Sequence, residues 1–195
     1  MRARMIVAVS AAALALGGAL APAQAATPPE TVPALGSFAF TTGNGILPTW
    51  SSDDIVIIGV SPGTVTTAPS NLNSRVRLPI VAKTGSANAA AGGFRLYNST
   101  TLQSVRCSSP TIDTRAAVVD CVLPNGRNAK LLSIKSIAAR SVIRGTTTVT
   151  TIYRGMVLRI NGQAMADLLN ESLGTTTFSP YVTVGNGDLV VTVDK

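Results

Sequence analysis

The chain has 195 residues, 46% of them hydrophobic and only 13% charged, with no histidine and 16 basic against 9 acidic side chains, a formal net charge of +7. Without histidine the commonest general base and the commonest metal ligand are missing, which weighs against Ser-His-Asp hydrolases, Cys-His proteases and most zinc enzymes. The apolar fraction argues against disorder despite 17 glycines and 11 prolines, and the length suits a single domain.

Residues 1–25 read as a secretory signal. Arg2 and Arg4 supply a basic start, Met5 to Ala21 is apolar, and Ala23-Gln24-Ala25 offers a small-x-small cleavage site. Gly17, Gly18 and Pro22 interrupt the run before the ~20 residues of a membrane span, and no later stretch reaches that length, so no transmembrane segment is expected once the signal is removed. Cleavage after Ala25 leaves 170 residues with 14 basic and 9 acidic side chains, a charge of +5. The location expected is secreted or cell-wall associated. The modest, scattered positive charge fits a solvated surface with some attraction for acidic cell-wall polymer or another envelope protein, and no nucleic-acid partner is expected.

Residues 26–35 form an extended leader without periodicity, and residues 36–195 form one β-rich domain. Short β-like runs then alternate with turn signals: Ser37 to Phe40, Asp54 to Val60, and Arg75 to Ala82, where Pro79 favours an edge strand or a bulge. Ser86 to Gly93 reads as a Gly/Ala/Asn loop with nothing to pack. Phe94 to Tyr97 and Leu102 to Val105 suit a hairpin, and Ala116 to Leu123 closes on Pro124-Asn125-Gly126. Ala129 to Ala138 alternates, and Thr146 to Tyr153 and Gly155 to Ile160 read as antiparallel neighbours. Gly43 to Gly45 and Gly185 to Gly187 resemble hairpin turns.

Asn161 to Leu173 breaks the alternation. Ala164, Met165, Leu168, Leu169 and Leu173 share one helical face, with Asn161 placed as N-cap and Gly174 as the stop. A final strand spans Gly187 to Val193. The fold class expected is mainly β, an antiparallel β-sandwich or sheet with one short C-terminal helix. Cys107 and Cys121 are the only cysteines, and in an exported chain they read as a disulfide. It closes a loop of about 15 residues, worth roughly 3 kcal/mol.

The stretch Arg159 to Asn170, with Leu173 to Phe178 and Gly187 to Val193, resembles the end of HtaA-type modules, secreted actinobacterial β-rich domains. Leu78 to Ile80, Gly92 to Phe94 and Pro110 to Thr114 extend the resemblance more thinly. It implies a β-rich envelope scaffold. Characterised members bind haem through a tyrosine supported by histidine; this chain has no histidine, and Trp50 has no tyrosine near it in sequence.

Candidate sites are few. Tyr97, Tyr153 and Tyr181 are the only tyrosines, each expected half-buried on a strand. Asp53 and Asp54 are adjacent, so on a strand they would face opposite ways, and a turn or helix cap suits them better. Asp113 and Asp120 flank the cysteine pair. Asn98 to Thr100 matches a glycosylation sequon that a bacterial chain does not use. Arg75 and Arg77, with Arg95 and Arg106 on neighbouring runs, form a candidate anion-binding face if those strands pair, or else charged protection of an edge. The function expected is a secreted, non-enzymatic cell-envelope protein with a binding or structural role and no cofactor. The alternatives are a haem-binding or haem-relay protein with a changed ligand set, and a carboxylate-dependent envelope-polymer hydrolase. A membrane-inserting oligomer is a further one.

Overall fold

The computed structural model describes residues 29–68 and 72–195, so the signal sequence expected over residues 1–25 lies outside the described residues. In chain order the elements are β1 (Thr31–Thr42), α1 (Ile46–Ser52), β2 (Ile55–Val60), β3 (Thr64–Thr67), β4 (Ser74–Thr84), β5 (Ala87–Ala90), β6 (Gly93–Asn98), β7 (Ser104–Asp113), β8 (Val118–Val122), β9 (Asn128–Arg144), β10 (Thr148–Ile160), α2 (Gln163–Leu173) and β11 (Thr183–Asp194). The first strand therefore begins inside the stretch read as leader.

Eight strands close on themselves in the order β7-β5-β4-β1-β11-β10-β9-β8, with β8 returning to β7, and each pairing in this ring is antiparallel. The fold is a closed barrel where a sandwich or open sheet was expected, and the closing step is the β7–β8 pairing. At one end the wall is patched. β4 pairs with β5 over Ile80 to Thr84 and with β3 over Ser74 to Arg77, while β6 pairs with both β7 and β2. Pro79 falls where β3 pairing has ended and β5 pairing begins, so it sits in a central strand; the missing amide costs no ladder bond there.

Period-two burial puts one row of side chains inside. Phe38, Leu78, Met156, Leu158 and Leu189 are fully buried, each contributing about 1.5–3 kcal/mol. An eight-stranded barrel is just wide enough for side chains to fill, and this one is filled. Two helices close its patched end. Trp50 of α1 packs on Phe178 with ring centroids 5.6 Å apart, and Leu169 of α2 joins them over the mouth.

Several local expectations are corrected. α1 was not expected: Pro48, Thr49 and Ser51 are weak helix formers, and the seven residues are held instead by burying Leu47 and Trp50. Ala87–Ala90 is a strand, because alanine and asparagine are small enough to lie between β4 and β7 with Asn88 and Ala90 buried. Thr148 to Ile160 is one strand, carried past a bulge by Gly155 at φ 62, not two strands. Gly185 and Gly187 lie inside β11; a Cβ on Gly185 would meet the Thr41 carbonyl oxygen, so close strand approach and not a turn requires glycine there. In α2 the buried face is Met165, Ala166, Leu169 and Leu173, while Ala164 is exposed, and the N-cap is Gly162, without a side-chain cap. Gly174 ends the helix in the left-handed region, as expected.

The Cys107–Cys121 disulfide is present, with Cα atoms 5.0 Å apart. It ties β7 to β8 beside the register shift between Ser108 and Thr111, which is the seam that closes the barrel.

Candidate functional site

Among the described residues, the barrel interior offers little room for a ligand. The space between its side chains and the helical plug is an apolar void of about 20 Å³, against the ~300 Å³ of a small-molecule pocket. A haem does not fit inside, and none of the three tyrosines lines that void.

Most of the acidic side chains are occupied in structural hydrogen bonds. Asp53 caps the C-terminus of α1 and accepts from the Thr177 hydroxyl; Asp54, in the left-handed region, accepts from Thr100 Oγ1 at 2.6 Å. Asp188 accepts from the Gly155 N–H at 2.9 Å and Asp167 from Gln163 at 2.7 Å. Asp120 lies in cross-strand register with Lys130. Asp113 accepts from Ser86 Oγ at 2.8 Å and from the Arg115 and Ala116 N–H groups, each at 2.9 Å. Partial burial pushes its carboxyl up, but those donors and the Arg115 charge outweigh it and hold it below the ordinary value. Asn98 is likewise spent on structure: it is buried, donates to the Leu173 carbonyl and accepts from the Thr100 and Thr101 amides.

The four arginines of the candidate anion-binding face all lie on the outer wall, in two pairs. Arg95 and Arg106 are directly opposed across β6 and β7, and the Arg95 guanidinium lies 5.4 Å from the Tyr97 ring centre. Arg75 and Arg77 are on β4, with β3 and β2 between them and the first pair. β4 is not an edge at that point, so edge protection does not account for them. Tyr97 and Tyr153 are half-buried on strands; Tyr181 is instead an exposed loop residue.

The distinctive surface is one that sequence reasoning missed. β9 is 17 residues long. It pairs with β8 only from Asn128 to Ser133 but with β10 as far as Arg144. The Ile134 N–H still reaches the Ala117 carbonyl at 2.8 Å. From Lys135 to Arg144 the second edge of β9 has no strand beside it among the described residues. This distal part of β9, with the stretch of β10 paired to it and the last residues of β11, Val193 and Asp194, extends past the end of β8 as an arm, while β11 keeps β1 beside it as far as Thr192. Its tip is closed by the Gly145 N–H on the Thr148 carbonyl and by the Lys195 ammonium on the Gly145 and Thr146 carbonyls.

Arg140, Val142 and Arg144 oppose Tyr153, Thr151 and Val149. Tyr153, Thr151 and Val149 in turn oppose Leu189, Val191 and Val193, so this row continues the inner face of the barrel. Arg140 stacks over Tyr153 with its guanidinium 5.6 Å from the ring centre, and Thr114 Oγ1 lies 3.4 Å from the Tyr153 hydroxyl. At the foot of the free edge, an open groove of about 450 Å³ runs between Thr114 and Arg115 on one side and Ile137 to Arg140 with Tyr153 on the other. Val142 is 42% and Ile143 58% exposed, on opposite faces of the strand. The available signal was two β-rich runs, Ser141 to Arg144 and Thr146 to Tyr153, across Gly145.

A second cleft, of about 510 Å³, lies against α1, β2 and the ends of β3 and β4, lined by Leu47, Pro48, Val56 and Leu72 among others and, among the described residues, by no charged side chain.

No family model matches the sequence, and no curated protein matches it. Among solved structures the chain is similar to the crystal structure of the haem-binding protein HtaB from Corynebacterium glutamicum, with 10% identity over 85% of this chain and 98% of that one and a TM-score of 0.46. At that identity and score the likeness transfers neither family nor activity.

Proposed function

We propose that the chain is a secreted, non-enzymatic cell-envelope binding protein whose working surface is the arm and not an internal pocket. One observation carries the reading. The apolar void under the helical plug is only about 20 Å³, while ten residues of β9 keep, among the described residues, an unpaired edge that is basic and partly apolar. Natural folds blunt such edges unless they use them. The engagement of Asp53, Asp54, Asp113, Asp167 and Asp188 in structural hydrogen bonds argues against a carboxylate-dependent hydrolase. For the haem alternative Tyr153 is the tyrosine beside a groove, but neither histidine nor an enclosed cavity supports it there. Titration with haem is expected to leave the Soret band unshifted.

Sedimentation of the mature chain with an isolated actinobacterial cell-envelope fraction tests the main reading. Retention is expected to fall with the double change Arg140→Glu, Arg144→Glu and to survive Arg95→Glu, Arg106→Glu. The reverse pattern would move the working surface to the outer wall. Equal retention of both variants and the parent chain would remove the arm from consideration.

A further inference from the structure

We infer that the arm binds an acidic polypeptide segment in extended form, added as a strand along Lys135–Arg144 of β9, which deepens the reading above and rests on it. The main-chain edge comes first. Each residue of a strand carries one N–H and one C=O, and those of β9 that point away from β10 have no strand to receive them over this stretch among the described residues. An incoming chain satisfies them by β-addition, in which main-chain bonds supply affinity and alternate side chains supply specificity.

The side chains set that specificity. β9 contains no acidic residue, and its distal part places Arg140, Val142 and Arg144 alternately on one face. A strand laid beside it brings its own alternate residues into cross-strand contact with these three. The complementary pattern is acid-x-apolar-x-acid, with each carboxylate meeting a guanidinium in a charge-assisted pair. The groove beside Thr114, Arg115 and Tyr153 receives the end of that segment over a further arginine. Asp113, the acid next to this groove, is already saturated by Ser86, Arg115 and Ala116 and offers no competition.

A second copy of the chain is the natural rival for an open edge, and the charges oppose those of its registers that set arginine against arginine. A two-fold antiparallel pairing centred on Val142 sets Arg140 against Arg144, and one centred on Arg140 sets that residue against itself. Like charges directly opposite one another are destabilising.

The test uses the mature chain and a capped peptide, Thr-Glu-Thr-Val-Thr-Glu-Thr, with its glutamine counterpart as control. Binding is followed by amide hydrogen exchange resolved by residue. The expected result is binding of the glutamate peptide with exchange slowed about tenfold or more at alternate amides between Lys135 and Arg144. The glutamine peptide, and the Arg140→Glu, Arg144→Glu variant, should each bind roughly tenfold more weakly, a change of about 1.4 kcal/mol. Unaltered exchange in the barrel strands shows that the variant is folded. Binding without protection of β9 would make the arm an ionic patch for any acidic polymer and overturn the inference. Protection that grows with protein concentration in the absence of peptide would identify a second copy and overturn it equally. Absence of peptide binding alongside intact envelope retention would sink this inference and leave the wider reading standing.

Discussion

The barrel and the arm share the same three strands, β9, β10 and β11, yet their residues meet opposite fates. Up to Ile134 β9 has a neighbour on both sides, and alternate side chains such as Leu132, Ile134 and Leu158 are buried. A few residues further along, β9 still pairs with β10, but Val142 and Ile143 are both exposed. The composition does not change much across that boundary. What changes is the neighbour: β8 begins only at Val118, and the chain between β7 and β8 turns tightly over Asp113 to Ala117. The free edge therefore arises where one wall ends early, not from any lack of β-forming residues in the arm. Burial depends on what the topology sets opposite a strand, and the same β-branched residues stabilise a core in one place and present a surface in another.

The largest effect that sharpens this contrast is a pair of truncations. Phe38→Ala empties a fully buried position in the barrel and is expected to cost about 3–5 kcal/mol, whereas Val142→Ala in the arm should change stability by less than about 0.5 kcal/mol. Denaturant unfolding of both variants measures it; comparable losses would show that the arm is part of the core. Next in size is the seam. Replacing Cys107 and Cys121 together by alanine should cost roughly 3 kcal/mol, and a reductant should then have no further effect. Equal stability of parent and variant would mean that the β7–β8 pairing holds the barrel closed without its covalent tie.

The barrel was only partly legible in the sequence. β2 follows from an uninterrupted apolar run at Ile55 to Val60, the β8–β9 turn from Pro124-Asn125-Gly126, the end of α2 from Gly174, and the disulfide from two cysteines in a chain read as exported. These are local signals, each decided by residues adjacent in sequence. Closure was not legible, because the pairing of β7 with β8 and of β1 with both β4 and β11 depends on long-range partners. α1 was missed because tertiary burial of Leu47 and Trp50 overrides weak propensity. The arm was missed for a related reason: Ile137 to Arg144 carries no sign that its second neighbour is absent. The arginine pairs show the same limit, since Arg75, Arg77, Arg95 and Arg106 were readable as sharing one sheet face if their strands paired, but the two intervening strands were not.

A smaller effect probes the joint between the two regions. Gly155 has φ 62, and a Cβ added there would lie 2.9 Å from the Ala138 methyl carbon. Gly155→Ala should cost about 1–2 kcal/mol and should accelerate exchange in the arm before it does so in the barrel. Uniform acceleration throughout would show that arm and barrel unfold as one unit.

The smallest effect concerns the turn that ends the wall. Asp113 holds Thr114 to Ala117 in place through the Arg115 and Ala116 amides and is tied to Ser86. Its pKa in the folded chain is lowered, so the unfolded chain binds a proton more readily. The stability it contributes is thus fully present above its unfolded value, about 3.9, and is lost as pH falls through the lower folded value. The side chain is only partly buried, which keeps the effect small. Asp113→Asn should therefore flatten the acid limb of the stability curve while leaving its neutral-pH part slightly lowered. Denaturation midpoints taken between about pH 2 and pH 6 measure this. Faster exchange at Ile134, whose amide bonds to Ala117 in the same turn, should accompany the change, because that bond marks the last point at which β9 has a second neighbour. An acid limb with the same slope in both chains would show that the turn is held by its backbone alone, and the early end of the wall would then need another cause.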